Sequence, residues 1–165
     1  MWWFAWMLAP DARADAPGWR YPSSVVGISA GSPSLLSVRG EQWLADDIEA
    51  EVGAGLRALE VEPVSAAFDW ALRWRPDVAC LGCGGRALVS FGVGPGGTVV
   101  PGPGFEGPIA FAVGGDVGAN LVIWLNPNLG LNLSGRGGGG VGWTGSAVGD
   151  LAGAGWGMGT VGFAF

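Results

Sequence analysis

The chain of 165 residues contains no histidine and no lysine; its eight basic residues are all arginine. Without histidine, the most common general base and metal ligand are both missing. Cysteine is nearly absent too, with only Cys80 and Cys83 in the run Cys80-Leu81-Gly82-Cys83. Haem attachment needs a histidine next, and Gly84 stands there. A zinc site needs four ligands, which two cysteines and no histidine cannot supply. A redox pair of the thioredoxin kind would open a helix, whereas Gly84-Gly85 follows. Two readings stay open: a short disulfide loop, allowed in an oxidising compartment, or a pair of free thiols. No cofactor and no metal are expected.

Long apolar runs are missing as well. Hydrophobic residues make up 49% of the chain and mean hydropathy is +0.38. Yet no segment approaches the roughly 18 apolar residues of a membrane helix. The net charge of −6 argues against a nucleic-acid partner. Abundant Gly, Ala, Arg and Trp also accompany a GC-rich genome, so composition decides little. Residue order has to carry the argument.

The stretch Ile109 to Leu125, IAFAVGGDVGANLVIWL, alternates with period two. Ile109, Phe111, Val113, Val117, Leu121, Ile123 and Leu125 share one parity. Ala110, Ala112, Gly114, Asp116, Gly118 and Asn120 share the other. Such alternation belongs to an extended strand. This strand is longer than the usual five or six residues of soluble sheets, and a tilted membrane strand needs roughly 9–11. Its second face is small with single polar groups. That suits the inside of a narrow barrel better than a water-facing surface.

The same alternation recurs along the chain. Val26, Ile28 and Ala30 oppose Gly27 and Ser29. Leu36 and Val38 oppose Ser37, Arg39, Glu41 and Trp43. Ile48, Ala50, Val52, Ala54 and Leu56 oppose Glu49 and Glu51. Phe68, Trp70, Leu72 and Trp74 oppose Asp69, Arg73 and Arg75. Ala87, Val89, Phe91 and Val93 oppose Arg86, Leu88 and Ser90. After the strong turn signal Asn126-Pro127-Asn128, Leu129, Leu131 and Leu133 oppose Asn132, Ser134 and Arg136. Val161, Phe163 and Phe165 oppose Thr160, Gly162 and Ala164.

Eight strands are therefore expected, in an all-β, eight-stranded antiparallel up-and-down transmembrane β-barrel. Polar turns near Asp46, in Pro76–Gly85 and at Pro127 fall at one end. Gly94–Pro108 and Gly137–Gly155 are expected as long glycine-rich loops at the other, matching the short periplasmic and long outer connections of outer-membrane barrels. Residues 1–16 read as a signal-peptide remnant, with Trp2–Ala9 as its apolar core and Ala12-Arg13-Ala14 or Ala14-Asp15-Ala16 as the cleavage site. Residues 22–165 form the barrel domain.

The predicted lumen face carries Arg39, Glu41, Glu49, Glu51, Asp69, Arg73, Arg75, Arg86, Asp116, Asn120, Asn132 and Arg136. Buried charges persist only when paired, so the set reads as a charge network that plugs the barrel. Trp43, Trp70, Trp74, Trp124, Trp143 and Trp156 are candidate anchors at the membrane–water interfaces, the last two in or beside the final outer loop. Gly92-Val93-Gly94-Pro95-Gly96-Gly97 matches a phosphate-binding glycine pattern, but no helix is expected after it, so it reads as chance.

With these strands and an ending on Phe165, in register with Phe163 and Val161, the chain resembles the small eight-stranded bacterial outer-membrane barrels of the OmpA/OmpX/OmpW type. The resemblance covers residues 22–165; Gly157 and Gly159 depart from the terminal pattern. It implies that Val161, Phe163 and Phe165 form the terminus read by the barrel assembly machinery. It also implies a monomer in the bacterial outer membrane, with lipid as its surroundings. Barrels of this size that act on lipid use an active-site histidine, so no enzyme is expected and Ser90 or Ser134 would lack a general base. The expected role is structural or surface-interacting. The alternatives are a narrow small-solute or ion channel, and a soluble secreted β-sandwich.

Overall fold

A computed structural model describes residues 22–45, 47–57, 65–75, 78–81 (backbone), 87–101, 109–143 and 151–165. Residues 1–16, Cys83 and Arg86 lie outside it, as does the side chain of Cys80. The signal-peptide, disulfide and Arg86 expectations therefore fall outside the described residues.

Nine strand segments follow one another: β1 Ser24–Ser32, β2 Leu36–Trp43, β3 Ile48–Arg57, β4 Ser65–Trp74, β5 Val78–Leu81, β6 Ala87–Val100, β7 Ala110–Asn126, β8 Leu129–Trp143 and β9 Leu151–Ala164. Every pairing is antiparallel. Both β4 and β5 pair with β6, so they form one interrupted stave. The result is an eight-stranded barrel with up-and-down connectivity. It closes where β1 meets β9. At that seam the Ser23 amide donates to the Phe165 carbonyl at 2.8 Å, and the Phe165 amide to that of Ser24 at 2.9 Å. A closed circuit is not a two-layered sheet, which removes the β-sandwich alternative.

The register fixes the barrel's girth. Stepping across Cα partners from Ile28 leads through Val38, Ala54, Phe68, Val99, Phe111, Trp143 and Leu151. Continuing the β9–β1 register, in which Val161 meets Ile28, takes Leu151 to position 38, ten residues beyond the start. A shear of that size over eight strands tilts them by roughly 40° and leaves an interior just wide enough for side chains.

Three expectations about the connections are corrected. Gly94–Val100 continues β6, and Gly137–Trp143 continues β8. β9 begins at Leu151, not near Thr160. The described parts of these glycine-rich stretches are thus nearly all strand, while 102–108 and 144–150 lie outside the described residues. Pairing uses backbone groups, which glycine possesses in full. A long neighbour such as β7 offers partners along the whole run. Within Pro76–Gly85, Val78–Leu81 is likewise strand and not turn.

The faces of the strands follow parity. Ile28, Val38, Phe68, Trp74, Phe91, Val117, Val161 and Phe163 point out and are exposed, Phe91 to 67%. Across the outward parity of the described strands no side chain is charged; Ser24, Ser32 and Gln42 are polar. Inside, Val25, Leu88, Val122, Trp124 and Ala164 form an apolar cluster at the end where β1 begins, β9 ends and the Asn126–Leu129 turn lies.

Candidate functional site: the barrel lumen

Alternation places Arg39, Glu41, Glu49, Glu51, Asp69, Arg73, Arg75, Asp116, Asn120, Asn132 and Arg136 on the inner wall, all of them buried. Five staves contribute. β2 carries Arg39 and Glu41, β3 carries Glu49 and Glu51, and β4 carries Asp69 and Arg73, with Arg75 just beyond its end. β7 supplies Asp116 and Asn120, and β8 supplies Asn132 and Arg136.

Arg73 is the hub. Its Nη1 reaches Glu49 Oε1 at 2.8 Å, its Nη2 reaches Glu51 Oε2 at 2.6 Å and its Nε reaches Asp116 Oδ1 at 2.7 Å. Arg136 bridges the same group from the opposite wall. Its Nη1 lies 2.8 Å from Glu51 Oε1 and 3.1 Å from Asp69 Oδ1, and its Nε lies 3.0 Å from Asp116 Oδ2. Arg39 completes the ring through Glu51 at 2.5 Å and Asp69 at 2.7 Å. Arg75 is held by the Glu49 carboxylate and donates to Ser90 Oγ at 3.1 Å.

A guanidinium presents five donors in a fixed fork and a carboxylate accepts at two oxygens. Shared partners therefore pair this many charges on side chains that are almost wholly buried. Desolvating them is costly, and the return comes only when every partner is present. In the described lumen Arg39, Arg73, Arg75 and Arg136 face five carboxylates. Glu41 is the carboxylate held by neutral donors: Asn120 Nδ2 at 2.9 Å and Ser134 Oγ at 3.3 Å.

The interior accommodates these long side chains because glycines face them. A Cβ on Gly92 would stand 2.6 Å from Arg75 Cγ, and one on Gly118 would stand 3.0 Å from Arg73 Cζ. At Gly53 it would meet Asp69 Oδ2 at 2.6 Å.

The tryptophan expectations divide. Trp70 and Trp74 face outward and are exposed. Trp74 Nε1 donates to Asp47 Oδ2 at 2.6 Å. Trp143 is half-buried at the end of β8. Trp43, Trp124 and Trp156, however, are buried in the lumen. They are corrected from interface anchors to interior groups, because each sits on the inward parity of its strand. Trp156 joins the network directly, its Nε1 donating to Asp116 Oδ2 at 2.7 Å. Extending the parity of Thr160, Gly162 and Ala164 back along β9 would have found it, together with Met158.

Other inward hydroxyls make smaller contacts. Ser29 and Thr160 share a hydrogen bond of 2.8 Å across the closing seam. Ser90 is occupied by Arg75 and Ser134 by Glu41. The Gly92–Gly97 pattern lies within β6. Among the described residues no group of three metal-ligating side chains occurs. What the arrangement does chemically is pair buried charges from facing staves across the lumen. No family model, curated protein or solved structure matches the chain.

Proposed function

We propose that this protein is an integral barrel of a bacterial outer membrane, of the OmpA/OmpX/OmpW kind. In this reading its lumen is closed by ion pairs and its role in the envelope is structural or surface-interacting rather than enzymatic. One observation carries the proposal: polarity is inverted, with charge inside and bulky apolar groups outside. Soluble monomers rarely present an apolar patch beyond about 300–600 Å². Here Val38, Phe68, Trp70, Leu72, Phe91, Val117, Ile123, Leu133 and Phe163 are exposed around the circumference.

Hydrocarbon is the solvent in which such a wall is stable, provided that every backbone group is paired, as closure of the sheet achieves. Strands of 8 to 17 residues, β4 and β5 forming one stave, compare with the roughly 9–11 needed to span at this tilt. Lipid is then the barrel's main partner and a monomer suffices, since closure leaves no edge to pair. Val161, Phe163 and Phe165 are the outward residues that the assembly machinery would read. The end opposite the Asn126–Leu129 turn, where β3 leads on to β4, β6 to β7 and β8 to β9, would meet the exterior.

Membrane fractionation combined with gel mobility before and after heating tests the proposal. The expected result is outer-membrane recovery and a folded band that shifts on boiling. Extraction as a monodisperse protein in detergent-free buffer would overturn it. Planar bilayers separate the channel alternative: a plugged lumen predicts no steady conductance. Open currents altered by substituting Arg73 or Glu51 would favour a channel.

A further inference from the structure

We infer that the lumen beside Glu41, between the apolar cluster and the ion pairs, is a hydration site. Ordered water is held there by Asn132, Asn120 and Trp124. The inference stands whether the barrel sits in lipid or in water.

Asn132 is fully buried, and among the described residues neither its Nδ2 nor its Oδ1 has a partner. Its ladder neighbours cannot supply one. Across β7 it faces Val122, across β9 it faces Gly162, and Gly130 precedes it on the same face. Ser134, which follows on that face, is committed to Glu41. Asn120 donates through Nδ2 to Glu41 while its Oδ1 is unpartnered. Trp124 lies across Gly130, where an added Cβ would stand 3.2 Å from the indole Cε3. The indole Nε1 of this buried residue is unpartnered as well.

The chemistry of these four atoms selects the ligand. Asn132 Nδ2 and Trp124 Nε1 are donors; Asn132 Oδ1 and Asn120 Oδ1 are acceptors. A cation would use only the acceptors and be repelled by the N–H groups. An anion would use only the donors and lie beside the Glu41 carboxylate. Water offers both functions at once. Buried waters characteristically make about three such bonds to groups that the chain leaves unmet.

The test is the unfolding of Asn132→Leu in urea, with the full chain refolded in detergent micelles. Leucine has the same branched outline, with two methyl groups in place of the amide oxygen and nitrogen, and no polar atom. If the site is hydrated, the variant loses the anchor of a water cluster and unfolds at lower urea than the parent. If the site is dry, it removes two unmet polar atoms and unfolds at higher urea, which overturns the inference. Should the variant fail to refold, a high-resolution structure of the unaltered protein decides. Water density within hydrogen-bonding distance of Asn132 supports the site, and an empty chamber there refutes it.

Discussion

The wall formed by β2, β3 and β4 and the wall formed by β7, β8 and β9 obey the same alternation but fill it differently. The first turns Arg39, Glu41, Glu49, Glu51, Asp69 and Arg73 inward and Leu36, Val38, Val52, Phe68, Trp70 and Leu72 outward. The second is far barer. Inward it presents Gly114, Gly118, Gly130, Gly138 and Gly162 between single larger groups. Outward it has Gly135, Gly137, Gly139, Gly155, Gly157 and Gly159. The difference shows how so narrow a tube holds so many charges. Long side chains from one wall extend into volume that the other leaves free, and close packing of the interior becomes a property of the pair of walls. Glycine on the inner face is therefore a space requirement, whereas on the outer face of β8 and β9 it makes no such demand: a Cβ on Gly135, Gly137, Gly155, Gly157 or Gly159 would have ordinary contacts or none.

The largest break in this comparison comes from emptying the hub. Arg73→Met leaves Glu49, Glu51 and Asp116 short of a shared cation, and removing one partner of a buried network costs about 3–5 kcal/mol. Equilibrium unfolding in urea should show a correspondingly lower stability. A smaller loss follows from the bare wall's own contribution. Trp156→Phe keeps an aromatic ring, though a smaller one, and removes the donor to Asp116; a hydrogen bond to a charged group contributes about 1.5–3 kcal/mol.

Crowding the shared volume is the next step down. Gly92→Ala forces a Cβ to within 2.6 Å of Arg75 Cγ, and overpacking of this kind costs about 1–3 kcal/mol. The outward glycines sharpen the contrast. A Cβ on Gly135 would meet nothing within 4 Å. Gly135→Ala should therefore leave stability unchanged or raise it by about 0.5–1 kcal/mol, since alanine loses less chain entropy on folding. Paired measurements on Gly92→Ala and Gly135→Ala test whether glycine is retained for space. Equal destabilisation by both would refute the distinction between the two faces.

Legibility in the sequence tracked side-chain signal. Strands with strong alternation, such as the one holding Phe68, Trp70 and Leu72 against Asp69 and Arg73, could be read together with their facing. The Gly137–Gly142 run could not, because glycine on both parities erases the alternation while leaving the backbone free to pair. Trp43 and Trp124 differ for another reason: a residue-type preference for interfaces competes there with parity, and parity is the stronger constraint, since a strand cannot turn one side chain to the opposite face. Trp156 shares the glycine problem, since parity reaches it only through the glycine-rich start of β9.

The sequence by itself determined which residues share a face, because period two is a local property of an extended chain. It thereby also set the sign of the inversion, charge on one parity and bulk on the other. Only the tertiary structure decided which charges meet. Arg136 reaches Glu51 across 85 positions and Asn120 reaches Glu41 across 79. Those encounters depend on closure between β1 and β9 and on the cumulative stagger of eight strands. No local pattern encodes that stagger, since each pairing register is settled jointly by two segments, and the sum around the barrel by all of them.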